Sequence, residues 1–270
     1  MSPDATSTVT SASVYATARD EGRAALVGYQ PAGFPSYDGC VAALTAMVSA
    51  GVDIVEIGLP YSDPVLDGPT IQAAADIALQ NKTRTTDVLR TVEAVAATGA
   101  AVLVMTYWNP VLRYGVERFA AELVSAGGTG LITPDLIPDE AADWIAISDD
   151  VGLERIFLVA PSSSPERVAS TTAACRGWVY AASTMGVTGA RATTSSVAPG
   201  LVERVRAATE LPVGVGLGVS NGAQAAEVAA YADGVIVGSA FVRPLLDDPG
   251  PGGIKACAAL AEELAAGVRR

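Results

Sequence analysis

Three carboxylate side chains, those of Glu56, Asp63 and Asp67, lie close together in a 270-residue chain that contains no histidine. Lysine is scarce as well and occurs only as Lys82 and Lys255. Proton transfer in enzymes depends mostly on histidine, carboxylates, lysine, tyrosine and cysteine. Any acid–base chemistry in this protein therefore falls mainly to carboxylates, with tyrosine and cysteine in reserve.

Glu56 lies inside the apolar run 52–59, which is typical of a buried strand. Because side chains alternate along a strand, Ile54 and Glu56 share one face. Burial on either face raises the pKa of a carboxyl group or requires a partner for it. An ion pair with an arginine such as Arg23 is the structural alternative. A glutamate with a raised pKa can act as acid and base within one turnover, and this is the role predicted for Glu56.

Asp63 and Asp67 lie on the proline- and glycine-rich loop that follows this strand. Aspartate is a common turn residue, and taken in isolation both residues fit that purely structural role. Tyr180 ends a later apolar run and is either a packing residue or a hydroxyl donor into a pocket. The residues alone leave this choice open.

The elements that position these side chains are short apolar runs alternating with longer amphipathic stretches, which predicts eight strand–helix pairs. The predicted strands cover 24–29, 52–57, 101–106, 130–133, 155–159, 178–181, 213–215 and 234–237. The predicted helices cover 37–50, 70–81 with 86–98, 116–126, 139–148, 165–172, 197–209, 221–231 and 254–268. Ser164 before Pro165 is typical of a helix start.

Strands this apolar predict an all-parallel sheet covered by helices. At this length we expect an α/β protein with a single domain, a closed (β/α)8 TIM barrel. Residues 1–20 are expected to form a ragged tail or a short helix, and residues 21–270 the catalytic barrel. A doubly wound open sheet is the alternative, but no dinucleotide fingerprint follows the first strand. Active sites of such barrels lie in the loops after the strands, which places Glu56 and Asp67 at the catalytic end.

Glycine-rich runs follow the seventh and eighth predicted strands and form a candidate phosphate site. Gly218 belongs to the first run, and Gly238 with Ser239 begins a predicted short helix. Glycine permits close approach of an anion, and helix N-termini offer free N–H groups. Tight turns are the alternative explanation. The stretch 183–190 is expected to form a lid after the sixth strand, in which Gly189 adds another amide.

Composition narrows the class of protein further. The formal net charge of −12 argues against nucleic acids and anionic membranes as partners, but not against a phosphorylated substrate. The three scattered cysteines, Cys40, Cys175 and Cys257, indicate buried residues of a reducing compartment and show no metal-ligand spacing. No signal-peptide pattern and no apolar run of about 20 residues occurs, so we expect a cytoplasmic protein.

Absent residue types also restrict the reaction. No lysine lies at a strand end, which argues against a Schiff-base aldolase. Without histidine there is no imidazole metal site and no Ser–His pair. What remains is proton-transfer or carbon–carbon chemistry on a small phosphorylated metabolite.

Five motifs resemble the tryptophan synthase α subunit, in particular its actinobacterial members. They are Val-Glu-Ile-Gly-Leu-Pro-Tyr-Ser-Asp-Pro-Val-Leu-Asp-Gly-Pro-Thr-Ile-Gln from Val55, Met-Thr-Tyr-Trp-Asn-Pro from Met105, Pro-Asp-Leu-Ile-Pro from Pro134, Gly-Val-Thr-Gly from Gly186 and Gly-Val-Gly-Leu-Gly-Val from Gly214. The resemblance covers nearly the whole chain beyond residue 20.

This resemblance implies a lyase of tryptophan biosynthesis that cleaves indole-3-glycerol phosphate to indole and glyceraldehyde 3-phosphate, a retro-aldol reaction without a cofactor or metal in this subunit. Glu56 is then the catalytic acid–base residue, which protonates the ring carbon bearing the side chain and helps to remove the glycerol hydroxyl proton. Asp67 is the second catalytic residue and accepts a hydrogen bond from the indole N–H. Tyr180 lines the site beside Glu56. Phosphate binding falls to Gly189, Gly218, Gly238 and Ser239, and the other substrate contacts to Tyr29, Met105, Tyr107, Thr188 and Leu217.

The resemblance also implies a partner, a pyridoxal-phosphate β subunit that receives indole through a tunnel in an αββα complex. Pro60, Asp63 and Asn109 are then on loops that face it. Phe34 and Thr184 depart from the enterobacterial pattern, where an acidic residue and an arginine are common, and this affects the expected lid contacts rather than the chemistry.

Three rival functions fit parts of this pattern. One is a non-catalytic subunit that only activates its β partner, and the intact pair of Glu56 and Asp67 argues against it. The second is a free-standing indole-releasing lyase, which shares these residues. The third is a phosphoribosyl-anthranilate isomerase or an indole-glycerol-phosphate synthase; the synthase requires a strand-end lysine that this chain lacks.

Overall fold

Strands and helices alternate along the chain in the structure, a computed structural model that describes residues 9–182, 197–216 and 218–269. The strands are β1 (Ala25–Pro31), β2 (Ile54–Gly58), β3 (Ala101–Met105), β4 (Gly130–Ile132), β5 (Glu154–Ile156), β6 (Leu158–Val159), β7 (Val179–Ala182), β8 (Val213–Gly216) and β9 (Gly234–Val237). They form one parallel sheet in the order β5-β4-β3-β2-β1-β9-β8-β7-β6.

The sheet closes through β5 and β6, which are two halves of one predicted strand. β5 pairs with β4 and β6 pairs with β7, and only Phe157 separates the two halves. The carbonyl of Ile156 accepts a hydrogen bond from Thr133 N at 3.3 Å, and the carbonyl of Phe157 accepts one from Tyr180 N at 3.3 Å. The strand is thus interrupted where it changes neighbours, and the predicted (β/α)8 barrel is confirmed.

The helices surround this barrel. They are α1 (Ser11–Asp20), α2 (Tyr37–Ser49), α3 (Pro69–Gln80), α4 (Thr85–Ala96), α5 (Trp108–Tyr114), α6 (Val116–Ser125), α7 (Ala142–Val151), α8 (Pro165–Ala174), α9 (Ala198–Arg206), α10 (Gly222–Ala229), α11 (Ser239–Asp247) and α12 (Pro251–Val268). Ser36, Ser164 and Asn221 accept hydrogen bonds from backbone N–H groups and so begin α2, α8 and α10. No helix in the described ranges is long and apolar enough to cross a membrane.

Helix α5 is missing from the predicted helices because its start depends on a distant residue. The carboxylate of Asp135, which lies beyond β4, accepts hydrogen bonds from Trp108 N at 2.9 and 3.2 Å. A cap supplied by another loop leaves no local sequence signal. The short helix predicted from Gly238 and Ser239 is present as α11.

The two faces of the strands bury different clusters. Ile54 and Leu103 point into the barrel, whereas Val55 and Val104 pack beneath the helices. Since Glu56 alternates with Val55, it shares the inward face with Ile54. The barrel interior therefore contains a carboxyl group in its upper layer.

Helix α1 covers the N-terminal end of the barrel, within the segment for which a tail or a short helix is predicted. Tyr15 and Ala18 point inward and are almost completely buried. The carboxylate of Glu154 accepts hydrogen bonds from Ser11 N at 3.1 Å, Ser11 Oγ at 2.6 Å and Ala12 N at 2.9 Å. A buried strand residue thus satisfies the first N–H groups of this helix and anchors it.

Candidate active site

A cavity of about 410 Å³ opens at the C-terminal ends of the strands. Its lining includes every predicted site residue that the structure describes: Tyr29, Glu56, Asp67, Met105, Tyr107, Tyr180, Gly218, Gly238 and Ser239. The other predicted positions, Thr188, Gly189 and Leu217, lie outside the described residues, as do Thr184 and the rest of the expected lid segment. Side chains and loops from both ends of the sequence therefore converge on one cavity.

Glu56 lies in the floor of this cavity and is 1% exposed. Its Oε1 has no hydrogen-bond partner among the described residues. Arg23, the alternative partner, instead binds both carboxylate oxygens of Asp53 at 2.8 and 2.9 Å. Burial therefore raises the pKa of Glu56 from 4.5 to about 8. Near neutral pH the carboxyl group is mostly protonated and can both give up and recover a proton.

Two tyrosines flank Glu56, each where a glycine leaves room for its ring. Tyr29 is the register partner of Glu56 on β1, and a Cβ at Gly58 would overlap the Tyr29 ring. Tyr180 lies on β7, and a Cβ at Gly216 would lie 2.5 Å from its hydroxyl. Burial raises the pKa values of Tyr29 and Tyr180 well above the ordinary value for tyrosine, and the nearby carboxyl group of Glu56 adds to both shifts. Both hydroxyls therefore remain protonated and can act as donors.

Asp67 is held at the edge of the cavity by Tyr107. The Tyr107 hydroxyl donates to Asp67 Oδ1 at 3.1 Å and accepts a hydrogen bond from Leu66 N at 3.0 Å. Burial raises the pKa of Asp67, and the hydrogen bond from Tyr107 opposes that shift. One hydroxyl thus fixes both the loop backbone and the carboxylate, so Asp67 is a fixed acceptor that faces the cavity.

Another part of the cavity lining is formed by backbone rather than by charged side chains. Gly218 has a φ of +70°, a left-handed conformation that favours glycine. A Cβ at Gly238 would meet only Tyr29, at 3.9 Å, so the approach to this residue is open. Ser239 begins α11, whose first N–H groups and helix dipole favour an anion. The geometry fits a phosphate group bound by amides.

Several residues that line the cavity are not among the predicted site residues. Leu158, Ile236 and Pro134 add apolar surface, and Ser163 adds a polar group at the rim. Leu158 pairs in register with Tyr180 across β6 and β7. The register between β6 and β7 would have indicated that Leu158 lines the cavity, but the register between distant strands cannot be derived from one sequence.

The three positions expected to face a partner differ in exposure. Asp63 and Asn109 are exposed, whereas Pro60 is buried. Asn109 Nδ2 donates to the Tyr61 hydroxyl at 3.1 Å, which connects α5 to the loop after β2. Phe34, one of the two departures from the enterobacterial pattern, is 1% exposed and packs in the core between sheet and helices.

A closed barrel whose cavity contains a buried acid and amide groups suited to an anion defines a class of protein. It is typical of (β/α)8-barrel enzymes that move protons on small phosphorylated substrates. In the part of the chain that the structure describes, no group of three metal-ligating side chains is placed to hold a metal ion.

Comparison with known proteins identifies the family within this class. The family model described as tryptophan synthase alpha chain matches residues 15–266. The tryptophan synthase alpha chains of Salinispora arenicola and Acidothermus cellulolyticus are each 64% identical to this chain, over 93% of its length and 95% and 94% of theirs. The structure of Mycobacterium tuberculosis tryptophan synthase in space group F222 is similar with a TM-score of 0.90 at 58% identity, covering 95% of this chain and 97% of that one. The chain belongs to the tryptophan synthase alpha chain family.

Membership of this family confirms the predicted activity and partner. The chain is a lyase, the α subunit that cleaves indole-3-glycerol phosphate in tryptophan biosynthesis. It works with a β subunit, which carries the pyridoxal phosphate, and the α subunit uses no cofactor of its own. The isomerase and synthase alternatives are thereby set aside.

Proposed function

We propose that Glu56 and Asp67 carry out the cleavage together, Glu56 as the acid and base and Asp67 as the ligand of the indole N–H. The observation that supports this most strongly is the raised pKa of Glu56, about 8, at the floor of a cavity that Asp67 also lines. Enzymes tune carboxyl groups toward neutral pKa values where the same group must donate and accept protons.

Glu56 acts twice in this scheme. In its protonated form it delivers a proton to the indole carbon that bears the glycerol phosphate chain, which converts the ring to an indolenine cation. The resulting carboxylate then takes the proton of the hydroxyl group on the adjacent chain carbon. The bond between ring and chain breaks as that carbon becomes an aldehyde, and the bonding electrons restore the indole ring. Glu56 ends the reaction protonated, as it began.

Asp67 stabilises the positive charge that develops on the ring. A carboxylate that accepts a hydrogen bond from the indole N–H interacts more strongly with the indolenine cation than with neutral indole. The hydrogen bond from Tyr107 opposes the rise in the pKa of Asp67 that burial causes, and it fixes the carboxylate in place. Tyr29, Met105 and Tyr107 border the ring, and Tyr180 lies beside Glu56. Leu217 and Thr188 are assigned to the substrate by the resemblance.

The phosphate group binds at Gly218, Gly238 and Ser239, with Gly189 as a further amide donor. The described residues of this set line the same cavity as Asp67 and present backbone donors at the start of α11. Binding at both ends of the substrate places the bond to be broken over Glu56.

The phosphate assignment is tested with two substrates. Indole-3-glycerol phosphate and its dephosphorylated analogue are compared for release of indole and the matching aldehyde, with the β subunit present. We expect a kcat/KM at least about 100-fold lower for the analogue, mainly through KM, because the amide site then binds nothing. Equal kcat/KM values for the two substrates would contradict the phosphate site.

We also propose that the β subunit docks on the loops after β2, β3 and β4. These strands are neighbours in the sheet, and the segments that follow them expose three large apolar side chains, Val65, Leu112 and Ile137. Exposed apolar residues grouped on one rim favour a protein contact. Asp63 and Asn109 are exposed in the same segments, whereas Pro60 is buried.

Replacement of Leu112 tests this docking surface. We expect Leu112→Asp to weaken β-subunit binding at least about tenfold by calorimetry while the subunit keeps its fold, because a charge would be buried at the contact. Val124→Asp is the matched control, since Val124 is also exposed but lies near the end of α6. Equal losses for both variants would contradict the proposed surface.

A cytoplasmic location is likewise a proposal. It is supported by the membership of a biosynthetic enzyme family and by the three buried, unpaired thiols in the described residues.

A further inference from the structure

The floor beneath the active site contains three buried polar atoms, and two of them, on Tyr15 and Trp178, have no part in the reaction scheme. The Tyr15 hydroxyl, the Trp178 indole nitrogen and Glu56 Oε1 are all buried without a hydrogen-bond partner among the residues described. All three side chains point into the barrel. Buried polar groups almost always find a partner, in protein or in ordered water. Two donors and one acceptor in the same interior space therefore indicate that these three groups interact with one another.

Tyr15 reaches this interior from helix α1. Its ring is 2% exposed, and its hydroxyl lies where a Cβ at Gly214 would come within 2.7 Å and a Cβ at Gly234 would overlap it. Gly214 and Gly234 are register partners on β8 and β9. Two facing glycines therefore open a slot between adjacent strands for one tyrosine from outside the sheet.

An aromatic column connects Tyr15 to the cavity. The rings of Tyr15 and Trp178 lie 5.7 Å apart, and those of Trp178 and Tyr180 stack at 5.6 Å with an interplanar angle of 28°. Tyr180 lines the cavity beside Glu56. A displacement of the Tyr15 ring would therefore reach Tyr180 through one intervening side chain.

We propose that Tyr15 is a positioning residue of the active site, whose ring supports Tyr180 through Trp178 and whose neutral hydroxyl stabilises the carboxylate form of Glu56 from the barrel floor. The inference rests on the proposed acid–base role of Glu56. Helix α1 determines how far the Tyr15 ring extends into the barrel. The hydrogen bonds from Ser11 and Ala12 to the Glu154 carboxylate hold this helix in place.

The charges around Tyr15 support this assignment. Burial raises the pKa of Tyr15 well above 10, and the neighbouring groups that add to the shift are Glu56, Asp233, Glu154 and Tyr180. The hydroxyl therefore stays protonated at working pH. Glu56 is faced by tyrosines from three elements, Tyr15 on α1, Tyr29 on β1 and Tyr180 on β7.

The test is the pH dependence of cleavage in the complex with the β subunit. Tyr15→Phe removes the hydroxyl and keeps the ring, so the carboxylate form of Glu56 loses a stabilising dipole. We expect the pH–rate profile to move to higher pH by about half a unit to one unit, because a nearby dipole that stabilises the charged form of a carboxyl group lowers its pKa. At pH values below the midpoint of this profile, we expect kcat of Tyr15→Phe to be roughly threefold to tenfold lower than that of the wild type.

A control separates this effect from a loss of stability. Tyr231→Phe removes another buried hydroxyl that lacks a partner in the described structure, but from the layer outside the barrel. We expect Tyr231→Phe to keep the wild-type pH profile. An unshifted profile for Tyr15→Phe, or the same shift in Tyr231→Phe, would overturn the proposal.

Glu56→Gln is measured in the same assay. If it abolishes cleavage while Tyr15→Phe leaves the profile unchanged, the role of Tyr15 alone is wrong. If Glu56→Gln retains cleavage, the acid–base assignment itself has failed, and the inference fails with it.

Discussion

At the scale of single residues, the site depends on what surrounds its two carboxyl groups. Glu56 has no hydrogen-bond donor on Oε1 within the described structure, and burial raises its pKa to about 8. Asp67 accepts a hydrogen bond from Tyr107, which opposes the effect of burial on its pKa. Two carboxyl groups in one cavity are thereby suited to different tasks, one to proton transfer and one to binding positive charge.

Asp67→Asn separates the role in binding from a role in the turn. The amide keeps the shape of the side chain but removes the negative charge that stabilises the indolenine cation. We expect kcat for indole release to fall about 100-fold, comparable with the loss of one preorganised electrostatic contact, while Tm changes little. Tyr107→Phe leaves the charge but frees the carboxylate, and a smaller loss of roughly tenfold is expected. A variant Asp67→Asn that unfolds early yet cleaves normally when folded would support the turn role instead.

Glu56→Gln is expected to change stability in a pH-dependent way. The pKa of Glu56 is about 8 in the folded protein and 4.5 as its ordinary value. The folded state therefore holds a proton that the unfolded state has released, and the contribution to stability is complete below pH 4.5 and is lost as pH rises through 8. Glutamine does not titrate, so the variant becomes more stable than wild type over this window, by a few kcal/mol since one pKa unit corresponds to about 1.4 kcal/mol.

Urea unfolding of wild type and Glu56→Gln at pH 4.5, 6.5 and 8.5 measures this difference. We expect nearly equal free energies of unfolding at the lowest pH and a growing advantage of the variant above it. A constant difference across the range would contradict a raised pKa in the folded state.

At the scale of elements, glycines in the strands determine where the large rings fit. Gly58 and Gly216 leave room for Tyr29 and Tyr180 in the upper layer of the barrel, and Gly214 with Gly234 does so for Tyr15 below. Glycine in a strand weakens the strand itself, so its use here is explained by the side chain that occupies the space.

Gly216→Ala tests this account of the strand. The new Cβ would lie 2.5 Å from the Tyr180 hydroxyl, so the Tyr180 ring must be displaced from its position. We expect kcat/KM for indole-3-glycerol phosphate to fall at least about tenfold, since a displaced ring near the reacting atoms disturbs substrate alignment. Gly200→Ala is the matched control: it lies in α9, and nothing occurs within 4 Å of its added Cβ. That substitution should raise stability by roughly 0.5–1 kcal/mol and leave kinetics unchanged. Equal kinetics for both variants would contradict the proposed role of Gly216.

At the scale of the whole molecule, the sequence predicts the repeated strands and helices of the barrel. It predicts few of the contacts between segments that are distant in the chain. Alternating apolar runs predict the closed barrel, because eight strands buried on both faces need helices around them. Alternation along the strand predicts that Glu56 shares a face with Ile54, and the structure shows that this face points into the barrel. Contacts between distant segments are different: the cap of α5 by Asp135, the anchoring of α1 by Glu154 and the column beneath Tyr180 all depend on strand register and helix packing. A single chain contains no signal for them.

The roles of the site residues are likewise only partly predictable from the sequence. Residue types alone single out Glu56 as a proton-transfer group, because the chain lacks histidine. They leave Asp67 as a plain turn residue, since a loop aspartate before glycine is common, and only the resemblance to a family assigns it to the indole. The structure adds a physical reason for that assignment in the hydrogen bond from Tyr107.

The most direct test of the account is a single-turnover measurement of indole release from indole-3-glycerol phosphate, in the complex with the β subunit, by wild type, Glu56→Gln and Asp76→Asn. Asp76 is an exposed carboxylate on α3 and serves as the control. Because Glu56 supplies both proton transfers, we predict a rate at least about 1,000-fold lower for Glu56→Gln with substrate binding largely retained, and a wild-type rate for Asp76→Asn. A Glu56→Gln variant that cleaves within tenfold of wild type would contradict the central claim.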